Sequence, residues 1–198
     1  RFGSIENNLY RIVSHENGTG TKITSAEPLK SSGTFITSAF GSSNSEVNYS
    51  TNSVIGTFLN GEYLTSYVNS TYSNMIEDST TWYLGTVEGG TSYKLAKYTN
   101  TTDNILTAST TTAKVGLLRL GELMAGQFDR YGNNTSYWTL TPYSSSRVRY
   151  VYSGGYATYG SPSSISYGVR PSINLKSNVI ITGGDGTKNN PFTIELSD

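Results

Sequence analysis

The segment Lys114-Val-Gly-Leu-Leu-Arg-Leu-Gly-Glu-Leu-Met-Ala-Gly126, followed after a loop by Tyr137-Trp-Thr-Leu140, carries the reading of the fold. Lys114 to Leu118 is a short apolar run that reads as a strand. Arg119 to Gly126 continues as a brief helix, and Tyr137 to Leu140 reads as a returning strand. Downstream, Arg147 to Ser153, Tyr167 to Leu175 and Phe192 to Leu196 read as further strands, rich in Tyr, Val and Ile. Upstream stands the strongest helix signal. Val54, Ile55, Phe58, Leu59, Tyr63 and Tyr67 recur at helical spacing behind Asn52 or Ser53 as a cap, although Gly56 and Gly61 oppose it by up to about 1 kcal/mol each. Tyr72 to Asp78 can add a turn of helix before a strand at Thr81 to Val87. Glu88 to Thr112 is polar and turn-rich, with room for one short strand at Tyr93 to Tyr98. At the N-terminus, Leu9 to His15 and Thr21 to Ala26 alternate around the turn Glu16 to Gly20 and predict a hairpin. Lys30 to Asn52 reads as loop with at most one short strand. Two helices near the middle and strands at both ends predict one α+β domain over residues 1–198, whose termini can pair in one sheet.

Composition narrows the function. The chain has 198 residues, 14 basic and 14 acidic, with no cysteine and one histidine. Zero net charge gives no electrostatic reason to expect nucleic acid or an anionic membrane as partner. Without cysteine there are no disulfides, thiolate zinc sites or thiol catalysis, and a single histidine disfavours a His-based triad. The chain is 12% aromatic and neutral, which sets it apart from disordered sequences. No apolar run is long enough to span a membrane. The 29 Ser, 27 Thr and 17 Asn suit turns and strand surfaces and hint at a secreted bacterial protein. The chain opens at Arg1-Phe2, which reads as a processed or trimmed product that omits any export signal or anchor. Asn-x-Ser/Thr triplets, among them those at Asn17, Asn48, Asn69, Asn100 and Asn134, arise readily by chance in such a composition.

The second half also carries an ordered series. After Val115 to Ala125 come Tyr137-Trp-Thr-Leu-Thr-Pro-Tyr143, Tyr150-Val-Tyr-Ser-Gly-Gly155, Tyr167-Gly-Val-Arg-Pro-Ser-Ile-Asn-Leu-Lys176 and Gly183-Gly-Asp-Gly-Thr-Lys-Asn-Asn-Pro-Phe192. With Phe58-Leu-Asn-Gly-Glu-Tyr63 upstream, the series resembles an uncharacterised domain of surface-exposed proteins of Gram-positive bacteria, often placed behind a prepilin-type or other membrane-anchoring N-terminus. More distantly it is similar to the C-type-lectin-like fold of formylglycine-generating enzymes. Leu118 to Glu122, Trp138, Gly154-Gly155 and Gly168-Val169-Arg170 take the places of that fold's helix, tryptophan strand, glycine turn and arginine strand. The resemblance implies a C-type-lectin-like domain with a small twisted antiparallel sheet, two helices and long loops, displayed extracellularly on a cell surface. It supplies no catalytic residue, because the copper-binding cysteine pair of those enzymes and the calcium motif of the lectins are both missing here.

Tyr143 to Tyr167 is the most informative segment for function. Tyr143, Tyr150, Tyr152, Tyr156, Tyr159 and Tyr167 sit among Ser and Gly, with Arg147 and Arg149 added. Tyrosine supplies large amphipathic contact area at low entropy cost, Ser and Gly adapt, and Arg anchors through paired hydrogen bonds or stacking. The competing reading is a strand pair whose rings only cover a small core. Arg170 reads as structural, with Glu122 as a candidate partner, and Trp138 reads as core. Asp185, Asn189 and Asn190 offer oxygen donors that suit calcium in principle, but a turn joining two C-terminal strands explains them as well. His15 has no second histidine beside it in the pattern, and nothing positions Glu62, Glu77, Asp78 or Asp129 as a carboxylate pair. Lys22, Lys114 and Lys176, among many asparagines, are ingredients for lysine–asparagine amide crosslinks, which also need a carboxylate close by.

The expected function is therefore non-catalytic. The first reading is an adhesin-like binding domain for a carbohydrate or protein on another surface, requiring no cofactor. The second is a structural subunit or pseudopilin head of a surface filament, in which Tyr and Thr faces pack one subunit on the next.

Overall fold

The computed structural model describes residue 2 and residues 5–16, 20–84, 109–125 and 135–198. The expected strand at Tyr93 to Tyr98, the tip of the first turn and residues 85–87 of the strand before them lie outside that set.

Alternation produces the N-terminal hairpin. Strands β1 (Tyr10–Glu16) and β2 (Gly20–Ser25) pair antiparallel with Ile12 opposite Ile23, and after an irregularity at Val13 Ser14 lies opposite Lys22. The stretch expected to be loop forms three two-residue strands, β3 (Lys30–Ser31), β4 (Thr34–Phe35) and β5 (Thr37–Ser38).

Helix α1 (Val54–Leu59) starts where the sequence predicts, with Ser53 Oγ accepting the Gly56 N–H. It ends early. Asn60 takes the C-cap, and its side-chain amide donates to the Gly56 carbonyl and the Tyr49 hydroxyl. The apolar spacing resumes only as a π-helical turn over Tyr63–Tyr67. A 3-10 turn at Ser73–Met75 leads into β6 (Thr80–Tyr83). The rest of the domain comprises β7 (Thr110–Ala113), β8 (Val115–Leu117), α2 (Leu120–Ala125), β9 (Tyr137–Ser144), β10 (Arg147–Val151), β11 (Ala157–Gly160), β12 (Tyr167–Gly168), β13 (Pro171–Leu175), β14 (Val179–Gly183) and β15 (Thr193–Leu196).

Among the described residues these strands form two main sheets and three ribbons. One sheet runs β1-β2-β13-β8 and the other β11-β10-β9-β12-β5, while β3-β4, β6-β7 and β14-β15 pair alone. Both main sheets contribute to one core, where Ile23, Val115 and Ile173 join Trp138, Leu140 and Val148. Leu118 and Leu123 pack with Tyr137 and Val151 in a second, smaller cluster.

The expected α+β, C-type-lectin-like fold is overturned. The described residues are 41% strand and 14% helix, and the strands are spread over several small sheets instead of one twisted sheet carrying two helices. Composition supplies the reason. Helical spacing is interrupted within six residues by Asn60 and Gly61, and the Ser/Thr/Asn excess favours strands and turns over extended helices. The last strand, β15, pairs with β14; it is β13 that joins the N-terminal hairpin.

One close approach fixes the stacking of β6 on the first sheet. A Cβ on Gly116 would lie 2.5 Å from the Trp82 ring, which is 1% exposed and donates its indole N–H to the Ala113 carbonyl. Gly116→Ala is expected to cost about 1–3 kcal/mol by overpacking, read as a lower denaturant midpoint at unchanged slope.

Tyr167 to Leu175, read above as one strand, is divided between the two sheets. β12 adds to the second sheet beside β9, in parallel, and β13 enters the first. The buried side chain of Arg170 holds this crossing. Its Nε and Nη2 donate to the Ser25 and Ala26 carbonyls at 2.8 and 3.0 Å, and its Nη1 donates to the Tyr137 hydroxyl at 2.9 Å. The structural role expected of Arg170 is what these bonds describe. The contacts recorded for Glu122 run to Lys22 and Arg119, not to Arg170.

Candidate functional site

Most of the predicted binding residues lie on or beside a three-stranded unit, with Tyr167 on β12 next to it. β10 pairs antiparallel with β9 on one side and with β11 on the other. Successive residues of a strand point to opposite faces, so the alternation of β10 divides its aromatic neighbours into two groups.

On one face, Trp138 and Tyr150 are cross-strand partners, and their rings meet edge to face at 5.9 Å. Tyr167 stacks on Tyr150 at 4.0 Å and presents its edge to Trp138 at 5.1 Å. Burial, with the Tyr150 and Tyr152 phenols close by, raises the Tyr167 phenol well above its ordinary range. Trp138 is 1% exposed, packs on Phe40 and donates its indole N–H to the Ser38 carbonyl. This group is continuous with the core, and Tyr167 belongs to it more than to a ligand surface.

On the other face, Arg149 lies directly opposite Tyr159. Tyr143 and Tyr159 stand on strands separated by β10, yet their rings stack at 4.0 Å with planes within 5°. Adjacent strands are roughly 4.8 Å apart, so the two rings lean together over the strand between them. Arg149 sits beneath, with its guanidinium carbon 4.4 Å from the Tyr143 ring and 5.9 Å from Tyr159. The rings form a roof over this arginine, which is 6% exposed. Arg149 braces the tyrosines by a cation–π contact and does not project outward as an anchor. Arg147 opens β10 opposite Ser144 and donates to the Ser146 carbonyl at 2.8 Å.

Tyr152 and Tyr156 flank the Gly154-Gly155 turn between β10 and β11. Their rings lie 4.9 Å apart, and the Tyr152 N–H donates to the Tyr156 carbonyl. They are 41% and 58% exposed, and Tyr159 is 46% exposed. Among the described residues these three are the tyrosines that stand largely in solvent, and all fall within one short hairpin. The residues singled out from sequence thus separate into an accessible set (Tyr152, Tyr156 and Tyr159, with Tyr143 stacked behind), a buried Arg149 beneath the stack, a half-buried Arg147 bonded to its own turn, and two core-facing rings, Tyr150 and Tyr167.

The remaining candidates resolve locally. Asp185 Oδ1 accepts from the Thr187 N–H and hydroxyl, closing the turn between β14 and β15; those bonds hold the carboxyl below its ordinary range. His15 Nδ1 hydrogen-bonds to the Thr21 hydroxyl at 2.6 Å, and Asp78 meets Lys114 at 3.6 Å on the surface. Asn17, Asn100, Asn134 and Asp129 lie outside the described residues.

Sequence reasoning did not find two further features. A groove of about 1860 Å³ opens beside the first sheet and the C-terminal hairpin, lined in part by Ile12, Lys22, Asn174, Ile181 and Phe192. The other is a buried ionic centre. Lys22 Nζ donates to Glu122 Oε2 at 2.9 Å, and Oε1 of the same carboxylate accepts from the Arg119 backbone N–H at 3.2 Å. Arg119 Nε lies 3.4 Å from that oxygen. Burial pushes the Glu122 carboxyl up, but the Lys22 and Arg119 charges and these hydrogen bonds outweigh it and hold it below its ordinary range.

Fold and site together define a β-rich domain that presents exposed tyrosines on a braced hairpin sheet. Residues 31–177 match a domain of unknown function (DUF6273), and the chain belongs to that family. No curated protein and no solved structure matches it.

Proposed function

We propose that the domain is a non-catalytic, surface-displayed binding module that takes a carbohydrate or protein ligand on Tyr152, Tyr156 and Tyr159. The concentration of exposed tyrosine in this one hairpin carries the reading. Most other tyrosines among the described residues are covered, so the exposure here is local and is not a consequence of tyrosine abundance. Tyrosine rings stack on the apolar faces of sugars and serve equally well as protein hot spots. The sheet, the Tyr143–Tyr159 stack and the Arg149 brace hold the hairpin in shape, which reduces the entropy lost on binding. Neutral overall charge disfavours nucleic acid as the ligand, and no described helix is long and apolar enough to cross a membrane.

The test is a glycan and matrix-protein array probed with the wild-type domain, Tyr152→Ala/Tyr156→Ala and Tyr159→Ala. Signals on a defined ligand class that fall at least about tenfold in the double variant, the worth of one hot-spot ring, support the reading. Signals unaffected by either variant exclude this surface.

A filament subunit is the alternative, and exposed Ile180, Ile181, Phe192 and Leu196 on the C-terminal hairpin favour it. Concentration-dependent growth in light scattering, abolished by Ile181→Lys, would support that reading over the first.

A further inference from the structure

Lys22 occupies the central part of the first sheet with Ser14 opposite it on β1 and Asn174 opposite it on β13. Directly opposed residues share a face, with Cβ atoms roughly 4.5–5.5 Å apart, so the four-methylene lysine chain can bring its amine onto the Asn174 carboxamide. The lysine is largely withdrawn from water, its side chain 15% exposed, and Nζ lies 5.1 Å from the Trp82 ring centroid. The Glu122 side chain bonded to it is 1% exposed. Asn174 Oδ1 is buried with no hydrogen-bond donor among the described residues, an expensive state for an amide oxygen that has no compensating role. The amine with its buried carboxylate partner and a primary carboxamide on the neighbouring strand therefore share one face of the sheet.

We propose that Lys22 and Asn174 form an intramolecular amide crosslink, with Glu122 as the proton carrier. Glu122 takes a proton from the Lys22 ammonium, and the freed amine attacks Cγ of Asn174, forming a C–N bond and a tetrahedral centre. Glu122 hands that first proton to Nδ2 and, again a carboxylate, takes the proton lost by the attacking nitrogen. The Cγ–Nδ2 bond then breaks as the carbonyl re-forms, and the departing ammonia takes this second proton from Glu122. The products are a secondary amide between the two side chains and one ammonium ion, with no oxidant or cofactor consumed and Glu122 again a carboxylate. Burial favours this neutralising transfer, against the Lys22 and Arg119 charges that hold Glu122 ionised at rest. The bond fastens the N-terminal hairpin, which lies outside the matched family region, onto β13 within it.

Intact-mass spectrometry of the purified, denatured protein tests the proposal. The expected mass is lower than the sequence mass by one ammonia, and tryptic digestion should yield a branched peptide joining the segments that contain Lys22 and Asn174. Succinimide formation at Asn17-Gly18 or Asn60-Gly61 loses the same mass, so the branched peptide decides. Asn174→Ala and Glu122→Gln should each abolish the branched peptide, and the wild-type result stands whether or not those variants fold. A wild-type protein at full sequence mass, or an ammonia loss confined to Asn17 or Asn60, would overturn the crosslink.

Discussion

Gly56→Ala is expected to lower the unfolding temperature of the domain by roughly 6–12 °C, corresponding to a loss of about 3 kcal/mol for a chain of this size. The sign is opposite to the helix-propensity expectation, by which alanine gains about 1 kcal/mol over glycine in a helix interior. Gly56 lies in the first turn of α1, where a Cβ would stand 1.8 Å from the Ser50 carbonyl oxygen and 2.8 Å from Ser53 Oγ. Both are fixed: Ser53 Oγ donates to that same Ser50 carbonyl and accepts from the Gly56 N–H. The methyl group cannot be admitted by turning a side chain, so the loop before the helix must move and the cap is lost with it. Calorimetry of the two proteins decides the matter, and an equal or higher unfolding temperature for Gly56→Ala would refute this account of the helix start.

Arg170→Lys is expected to destabilise by about 3 kcal/mol or more despite keeping the charge. The guanidinium satisfies two carbonyls and one hydroxyl in a site that is 3% exposed. Lysine offers a point charge without the fork, leaving buried acceptors unpaired at about 1–3 kcal/mol each. The damage should spread to both sheets, because Ser25 ends β2 and Tyr137 begins β9. Chemical denaturation with tryptophan fluorescence, which reports Trp82 and Trp138, should show one cooperative transition at a lower midpoint. An unchanged midpoint would mean that Arg170 does not hold the crossing between sheets.

These two positions also show how much of the structure is legible in the sequence. Hairpin β1–β2 and strands β9 and β10 could be read because alternation and turn chemistry are local signals. The start of α1 could be read from Ser53, but its end at Asn60 depends on a side chain that reaches Val115 on β8, a tertiary contact. The break within Tyr167 to Leu175 was hidden because the alternation runs unbroken through it. What divides that segment is Arg170 reaching Ser25 and Ala26, far away in the chain.

The binding segment was identified by composition, but its division into two faces was not. That division depends on register, and register shifts twice along β10 against β9. Arg149 looked like an anchor because arginines often are; only the ring stack above it reveals a brace. The pairing of Lys22 with Asn174 likewise follows from strand order.

The exposed hairpin tyrosines are the central claim, and a paired affinity measurement tests it most directly. The ligand with the strongest array signal is titrated into the wild-type domain and into Tyr152→Ala/Tyr156→Ala/Tyr159→Ala, with the unfolding temperature of each recorded. Two rings acting as hot spots at about 1.4 kcal/mol each predict a Kd at least about 100-fold weaker in the triple variant, at an unfolding temperature close to that of the wild type. Equal affinity in two equally stable proteins would contradict the assignment of this hairpin as the binding surface.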